Sequence, residues 1–354
     1  MNWPKQKCAV LGMLPLSWLY QIVIGCRNFC YDKNILAATR APAKVVSIGN
    51  LSVGGSGKTP TTAYLANALT EQGVKVAIVA RGYGRKGRSE CIVSDGQTVL
   101  AEIHEAGDEP LLLARQCPRV AVVVAESKTR AAQIAAERFQ PQIILVDDGF
   151  QHRRLHRDLD LLLISARMLL QKPWLLPAGP LREPLHNIRR ADKILLTEIQ
   201  SLNLEQRQTI FDLLRRHTTA SILPVAFVAD GIRPLFEGKA LATFRPQHTT
   251  ALLVSGIALP ERFRKTAEAN NVIVREHLIY RDHHAYTERD VETLLRKFQN
   301  AQADYLLTTA KDAVKLRRHV RLQVVPIYVL ELRFSAEATA LAELMNAVLA
   351  DASA

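Results

Sequence analysis

Residues 51–60 read LSVGGSGKTP, a glycine-rich turn that follows the apolar run KVVSI (44–48) and leads into a stretch of helical character. Gly54, Gly55 and Gly57 let successive backbone N–H groups turn toward one anion, with the Ser56 hydroxyl beside them. Lys58 can reach the β and γ phosphates of a nucleotide, and Thr59 can hold Mg²⁺. Pro60 is tolerated in the first turn of the helix, whose N-terminal dipole favours negative charge. Ser52, however, stands where the pattern G-x-x-x-x-G-K-[ST] has its first glycine.

A strand entering such a loop and a helix leaving it open a parallel α/β sheet. The runs VKVAIVA (74–80), VAVVVA (120–125), IILV (143–146), LDLLLI (159–164) and KILLT (193–197) read as further buried strands, with helices between them. The expectation is a P-loop NTPase-like, doubly wound, mainly parallel sheet. Turn residues gather at DGIRPLFEGK (230–239) and FRPQH (244–248), which predicts a linker. Beyond it ALLVS (251–255), VIVREHL (272–278), YLLTT (305–309) and VVPIYV (324–329) predict a second, smaller α/β domain. The organisation expected is a hydrophobic helix over 1–30, a P-loop domain over 31–245, a smaller domain over 246–335 and a C-terminal helix over 336–354.

In open α/β sheets ligands collect at the carboxyl ends of strands, so the residues after each run carry the chemistry. IILV is followed by Asp147 and Asp148, placed as a Walker-B carboxylate is to hold Mg²⁺. VKVAIVA is followed by RGYGRKGR, where Arg81 and Arg85, with Tyr83 between them, can approach and neutralise a phosphate. Asp108 precedes an apolar helix in AGDEPLLLARQ. It is either an N-cap or a base that takes a hydroxyl proton. In RDHHAYT (281–287) a histidine opposite a nucleotide site could join a proton relay.

Bulk properties narrow the class. A chain of 354 residues with 48% hydrophobic and 23% charged residues buries a core without staples, and five scattered cysteines suggest reduced thiols. A net charge of +12 implies an anionic partner. Aromatic residues are only 6% and do not interleave with the basic clusters, so no nucleic acid partner is expected. The uncharged run CAVLGMLPLSWLYQIVIGC (8–26) is at the lower limit for a span and fits an interfacial helix, with Trp18 and Tyr20 at headgroup level. A buried helix docked on the domain is the other reading.

Taken in order, VGGSGKTP, RGYGR, GDEPLLLA, DDGFQHRRLHRDLDLLLI, LLPAGPLREP, RADKILLT, GIALPERF, DHHAYT and TTAKDAVKL resemble the tetraacyldisaccharide 4'-kinases, the lipid A 4'-kinases of Gram-negative bacteria. The likeness runs from the hydrophobic helix to about residue 330. It implies ATP and Mg²⁺ in a cleft between two domains and transfer of the γ-phosphoryl group to the 4'-hydroxyl of a tetraacylated glucosamine disaccharide 1-phosphate. It further implies work at the cytoplasmic face of the inner membrane, peripheral or monotopic through the first helix, with no obligate protein partner. By position, Lys58 and Thr59 become the phosphate and Mg²⁺ contacts, Asp148 the foremost Walker-B carboxylate, Asp108 the base and His283 the histidine beside it. Arg81, Tyr83, Arg85, Gln151, His152 and Arg153 become substrate contacts. Ser52 matches a small hydroxyl residue common at that place in the family. Ala310 stands where the family usually has Glu in TTEKDAVK, and GIALPE differs from the commoner GIGNPE. A nucleotide switch or metallochaperone is the rival reading, although TTAKDA lacks the N-K-x-D spacing of guanine-selective proteins.

Overall fold

A computed structural model describes residues 3–85, 87, 89–171, 173–236 and 249–350. The strands are β1 (Lys44–Asn50), β2 (Val76–Ala80), β3 (Cys91–Asp95), β4 (Ala121–Val124), β5 (Ile143–Asp147), β6 (Leu159–Ser165), β7 (Lys193–Thr197), β8 (Ser221–Pro234), β9 (Thr250–Ser255), β10 (Ile273–Ile279), β11 (Tyr305–Thr309) and β12 (Ile327–Ala336). They form one sheet in the order β10-β9-β11-β12-β8-β7-β6-β1-β5-β2-β4-β3. Its runs of Val, Ile and Leu are buried on both faces, as parallel strands covered by helices must be.

Each expected strand is present, and β3 is added as an antiparallel edge on β4. The stretch expected as a linker is the main correction. Residues 230–234 belong to β8, which runs on past its last pair with β7, Thr197 with Val225. Gly231, at φ 109°, and Pro234 sit in this extension, so turn-forming residues here serve a long ribbon strand. The remainder of the stretch, with 244–248, lies outside the described residues.

The extension of β8 sets the geometry of the molecule. It pairs antiparallel with β12, from Pro234 opposite Tyr328 to Val225 opposite Ala336. β12 in turn pairs parallel with β11, and β11 with β9. The second parallel set therefore points back at the first, and the carboxyl ends of β9 and β11 face those of β1, β2 and β5.

The C-terminal helix, Ala338–Leu349, packs on the first set. Leu344 and Val348 lie in the same core cluster as Val46, Leu69 and Leu145. The N-terminal helix, Trp3–Asp32, is docked through its C-terminal half, from Ser17 onward, by polar contacts. The Ser17 hydroxyl donates to the Leu175 carbonyl at 3.0 Å and accepts from the Ala178 N–H at 3.1 Å. The Tyr20 hydroxyl donates to the Arg182 carbonyl at 2.9 Å, and Asn28 Nδ2 donates to Glu183 at 2.9 Å. Met13, Leu16, Trp18, Leu19, Ile22, Val23 and Phe29 remain exposed. No described helix is long and apolar enough to cross a membrane.

Candidate active site

At the end of β1 the chain enters the glycine loop. Gly54 and Gly57 have φ of 104° and 92°, the left-handed region that disfavours a side chain, and a Cβ on Gly57 would strike the Phe227 ring. Ser52 has no such conformation. It forms an antiparallel bridge with Leu181, and the flanking backbone is pinned by Val53 N–H to Pro180 O at 2.8 Å and Arg182 N–H to Leu51 O at 2.7 Å. Extended backbone needs no glycine, which is the physical reason a serine can occupy that place.

Lys58 opens the loop's helix with its ammonium 3.4 Å from Asp148 Oδ1. Asp148 holds φ 54° and takes both carboxylate oxygens to Arg182 Nη1, at 2.9 and 2.8 Å. The buried Lys128 donates to the Asp148 carbonyl. Burial alone would push the Asp148 carboxyl up, but Lys58, Lys128 and Arg182 hold it well below the usual carboxylate range. Lys128 is itself lowered to about 8 by burial, against the pull of both aspartates.

Asp147, one residue away, behaves in the opposite sense. It ends β5 buried, and among the described residues its carboxylate has one hydrogen bond, a long one of 3.4 Å from the Thr62 hydroxyl, and no ion-pair partner. Burial first and Glu109 second raise its carboxyl to about 7, with Lys58 pulling the other way. Glu109 and Lys58 thus act on the same carboxylate in opposite senses, which ties the phosphate loop to the Asp108 segment.

Asp108 begins the helix Asp108–Gln116. Gly107, at φ 85°, packs so tightly on Gly82 and Tyr83 that a Cβ there would lie 2.8 Å from the Tyr83 carbonyl. His283 crosses from the second set, its Nδ1 2.9 Å from Asp108 Oδ2 and its ring 4.6 Å from the Tyr83 ring. Lys311 and Lys315 stand behind this pair. Lys311 Nζ lies 3.0 Å from His283 Nε2, and Lys315 Nζ lies 3.7 Å from Asp108 Oδ2. Burial raises the Asp108 carboxyl, yet the His283 hydrogen bond, Lys311 and Lys315 outweigh it and hold the group below its ordinary value.

The other residues singled out in the sequence divide into two groups. Arg81 and Tyr83 are exposed at the cleft, and Arg85 carries a buried Nη2 with no partner among the described residues. Gln151, His152 and Arg153 lie toward the N-terminal helix. The Gln151 amide donates to Asn50 O at 2.7 Å, while Arg153 donates to Asn28 O at 2.9 Å and pairs with Asp32 at 2.7 Å. Burial, then Lys128, lowers His152 to about 3, so it is neutral. Arg182, Lys128, Lys311 and Lys315 received no role from sequence reasoning. Three of them sit within motif blocks, LREP and TTAKDAVKL, whose basic residues were the available signal.

A glycine loop closing a buried parallel strand, a helix N-terminus and strand-end carboxylates define a P-loop NTPase-like α/β protein. Residues 9–350 match the family model described as Tetraacyldisaccharide-1-P 4'-kinase. The tetraacyldisaccharide 4'-kinase of Bdellovibrio bacteriovorus is 38% identical over 304 residues, covering 86% of this chain and 88% of that one. Its namesake from Aquifex aeolicus is 37% identical over 308 residues, covering 86% and 90%. The crystal structure of "apo" form LpxK from Aquifex aeolicus in complex with ATP superposes with a TM-score of 0.76 at 32% identity, covering 97% of this chain and 99% of that one. The chain belongs to the tetraacyldisaccharide 4'-kinase family. It is accordingly a kinase, and the reading as a nucleotide switch or metallochaperone is set aside.

Proposed function

We propose that the protein transfers the γ-phosphoryl group of ATP to the 4'-hydroxyl of a tetraacylated glucosamine disaccharide 1-phosphate, with Asp108 as the base. The observation that carries this reading is the Asp108–His283 pair, 2.9 Å apart, joining the two facing strand sets beside the phosphate loop. A jaw over 31–245 would hold the nucleotide, and the jaw over 246–335 would bring His283 and Lys311 to it.

Lys58 leaves Asp148 for the β and γ phosphates when nucleotide arrives, exchanging one anion for another, while Arg182 keeps Asp148 ionised. The residues fit a divalent ion. Asp147 is a buried carboxylate with no ion-pair partner among the described residues, and hard oxygen donors suit Mg²⁺. Thr59 and Asp147 would hold it; Asp148, which the resemblance put foremost, is already engaged by Lys58 and Arg182 and would stand close by. When bound, the ion neutralises charge on the transferring group. Asp108 takes the hydroxyl proton, His283 orients it, and Arg81, Tyr83 and Arg85 receive the sugar and its phosphate. Gln151, His152 and Arg153 act from behind by holding the first helix to the loop. The exposed apolar face of that helix lies on the cytoplasmic surface of the inner membrane, its polar face docked on the enzyme.

The test is an assay with γ-labelled ATP and a lipid disaccharide 1-phosphate in detergent. The expected outcome is label in a bisphosphorylated lipid that requires Mg²⁺. Hydrolysis of ATP with no label in lipid would overturn the assignment.

A further inference from the structure

His283 carries two ring nitrogens, and their partners are of opposite kinds. Nδ1 faces the Asp108 carboxylate at 2.9 Å, and Nε2 faces the Lys311 ammonium at 3.0 Å. An ammonium has three donors and no acceptor. Those of Lys311 meet Nε2, Asp282 Oδ1 at 3.2 Å and Glu109 Oε1 at 3.3 Å, so each N–H has one acceptor. The carboxylates Glu109, Asp108 and Asp282 outweigh burial and keep Lys311 charged. Nε2 can accept from Lys311 only with its lone pair free, which leaves the single imidazole proton on Nδ1, donated to Asp108. A doubly protonated ring would set an N–H against the ammonium, donor to donor.

Backbone contacts fix where the ring enters the cleft. His283 takes the left-handed φ of 59°, its N–H bonded to Gly256 O at 3.1 Å and to Asp282 Oδ1 at 3.0 Å. Gly256 is in turn tied to the buried Asp312, which also pairs with Lys315 at 3.1 Å. Tyr83 covers one face of the ring.

We propose that Lys311 is a positioning residue that holds His283 as its Nδ1–H tautomer, so that His283 orients Asp108 and does not carry the substrate's proton away. The inference rests on the kinase reading above. In the transfer step the hydroxyl O–H bond breaks and the proton passes to Asp108. The oxygen pair forms the new bond to the γ phosphorus, and the bond from phosphorus to the β-bridging oxygen breaks with its electrons leaving on ADP. Nδ1 already bears a proton and Nε2 is occupied by Lys311, so the proton rests on Asp108 until it leaves to water.

The experiment is ¹⁵N NMR of the nucleotide-free full chain labelled at histidine, with H283Q used to assign the ring signals. The wild type should show a protonated Nδ1 and an unprotonated Nε2. K311M should move the proton wholly or partly to Nε2 and lower kcat about tenfold, with KM for ATP changed less than about twofold. K311R, which keeps a donor, should retain the Nδ1–H pattern and guards against a folding defect in K311M. An Nε2–H or doubly protonated ring in the wild type overturns the proposal, as does a K311M ring identical to wild type whatever its kcat. Should D108N keep full turnover, the assignment of the base falls while the tautomer result stands, so the two failures can be told apart.

Discussion

The two ends of the cleft hold their carboxylates by different arrangements of the same groups. At the phosphate end, Lys58, Lys128 and Arg182 converge on Asp148, and the aspartate beside it makes no ion pair among the described residues. At the hydroxyl end, Lys311 and Lys315 are themselves tied to carboxylates, Glu109, Asp282 and Asp312, and lend only part of their charge to Asp108. The first end has cations to release to an incoming anion. The second shares two ammonium groups among four carboxylates, and with the His283 hydrogen bond this is enough to hold Asp108 below its ordinary value. A base wants constancy and a phosphate site wants exchange, and the wiring differs accordingly.

The largest effect expected from breaking this contrast is at the hydroxyl end. D108N should lower kcat about a thousandfold while ATP affinity stays within a few-fold, because the amide keeps the shape and loses the base. Steady-state transfer with calorimetric ATP binding checks it, and turnover near wild type would remove Asp108 from the chemistry. Next is K58M, which should lower kcat/KM for ATP about a hundredfold or more through loss of charge against the migrating phosphoryl group. If K58M changed only KM for the lipid, the loop assignment would be wrong.

A smaller effect separates the neighbouring aspartates. Asp147 has a folded value of about 7 against an ordinary 3.8. Between those values the folded protein keeps a proton that the unfolded chain gives up, so stability present at low pH is lost as pH rises toward 7. D147N lacks this loss and should exceed wild type by up to about 4 kcal/mol at pH 8, with the gap closing toward pH 4. Asp148 is shifted downward, so its contribution is present at neutral pH and lost as pH falls; D148N should be less stable than wild type at pH 7. Denaturant melts across pH test both, and equal shifts of the same sign would erase the distinction.

How much of this was legible beforehand follows the same divide. The loop, the strand that enters it and Asp147–Asp148 are contiguous or lie at the end of an apolar run, so local pattern located them. The hydroxyl end joins residues 107–109, 282–283 and 311–315, and only the turn-back of β8 on β12 brings those segments together. Because that ribbon contains Gly231 and Pro234, its local chemistry pointed to a linker and hid the element that makes the cleft. Local pattern left Asp108 as either an N-cap or a base and singled out no one histidine of RDHHAYT; resemblance to a family chose the base and His283. The roles of Lys311 and Lys315 depend on side-chain distances that no spacing encodes.

The smallest effect lies outside both ends and asks whether either depends on the first helix. Ser17, Tyr20 and Asn28 dock one face of it, and Leu19, Ile22 and Val23 are exposed on another. Replacing Ile22 and Val23 with Ser removes apolar area that is mostly exposed, 62% and 57%, so fold and cleft geometry should change little. Partition onto vesicles containing anionic lipid should weaken about tenfold, with turnover on detergent-dispersed substrate within about twofold of wild type. A Y20F change should do the reverse, sparing vesicle binding while removing the hydrogen bond to the carbonyl of Arg182, the residue that clamps Asp148. If the double serine variant instead lowered turnover in detergent and left vesicle binding alone, the apolar face would be packing against the enzyme's own substrate path and not against lipid.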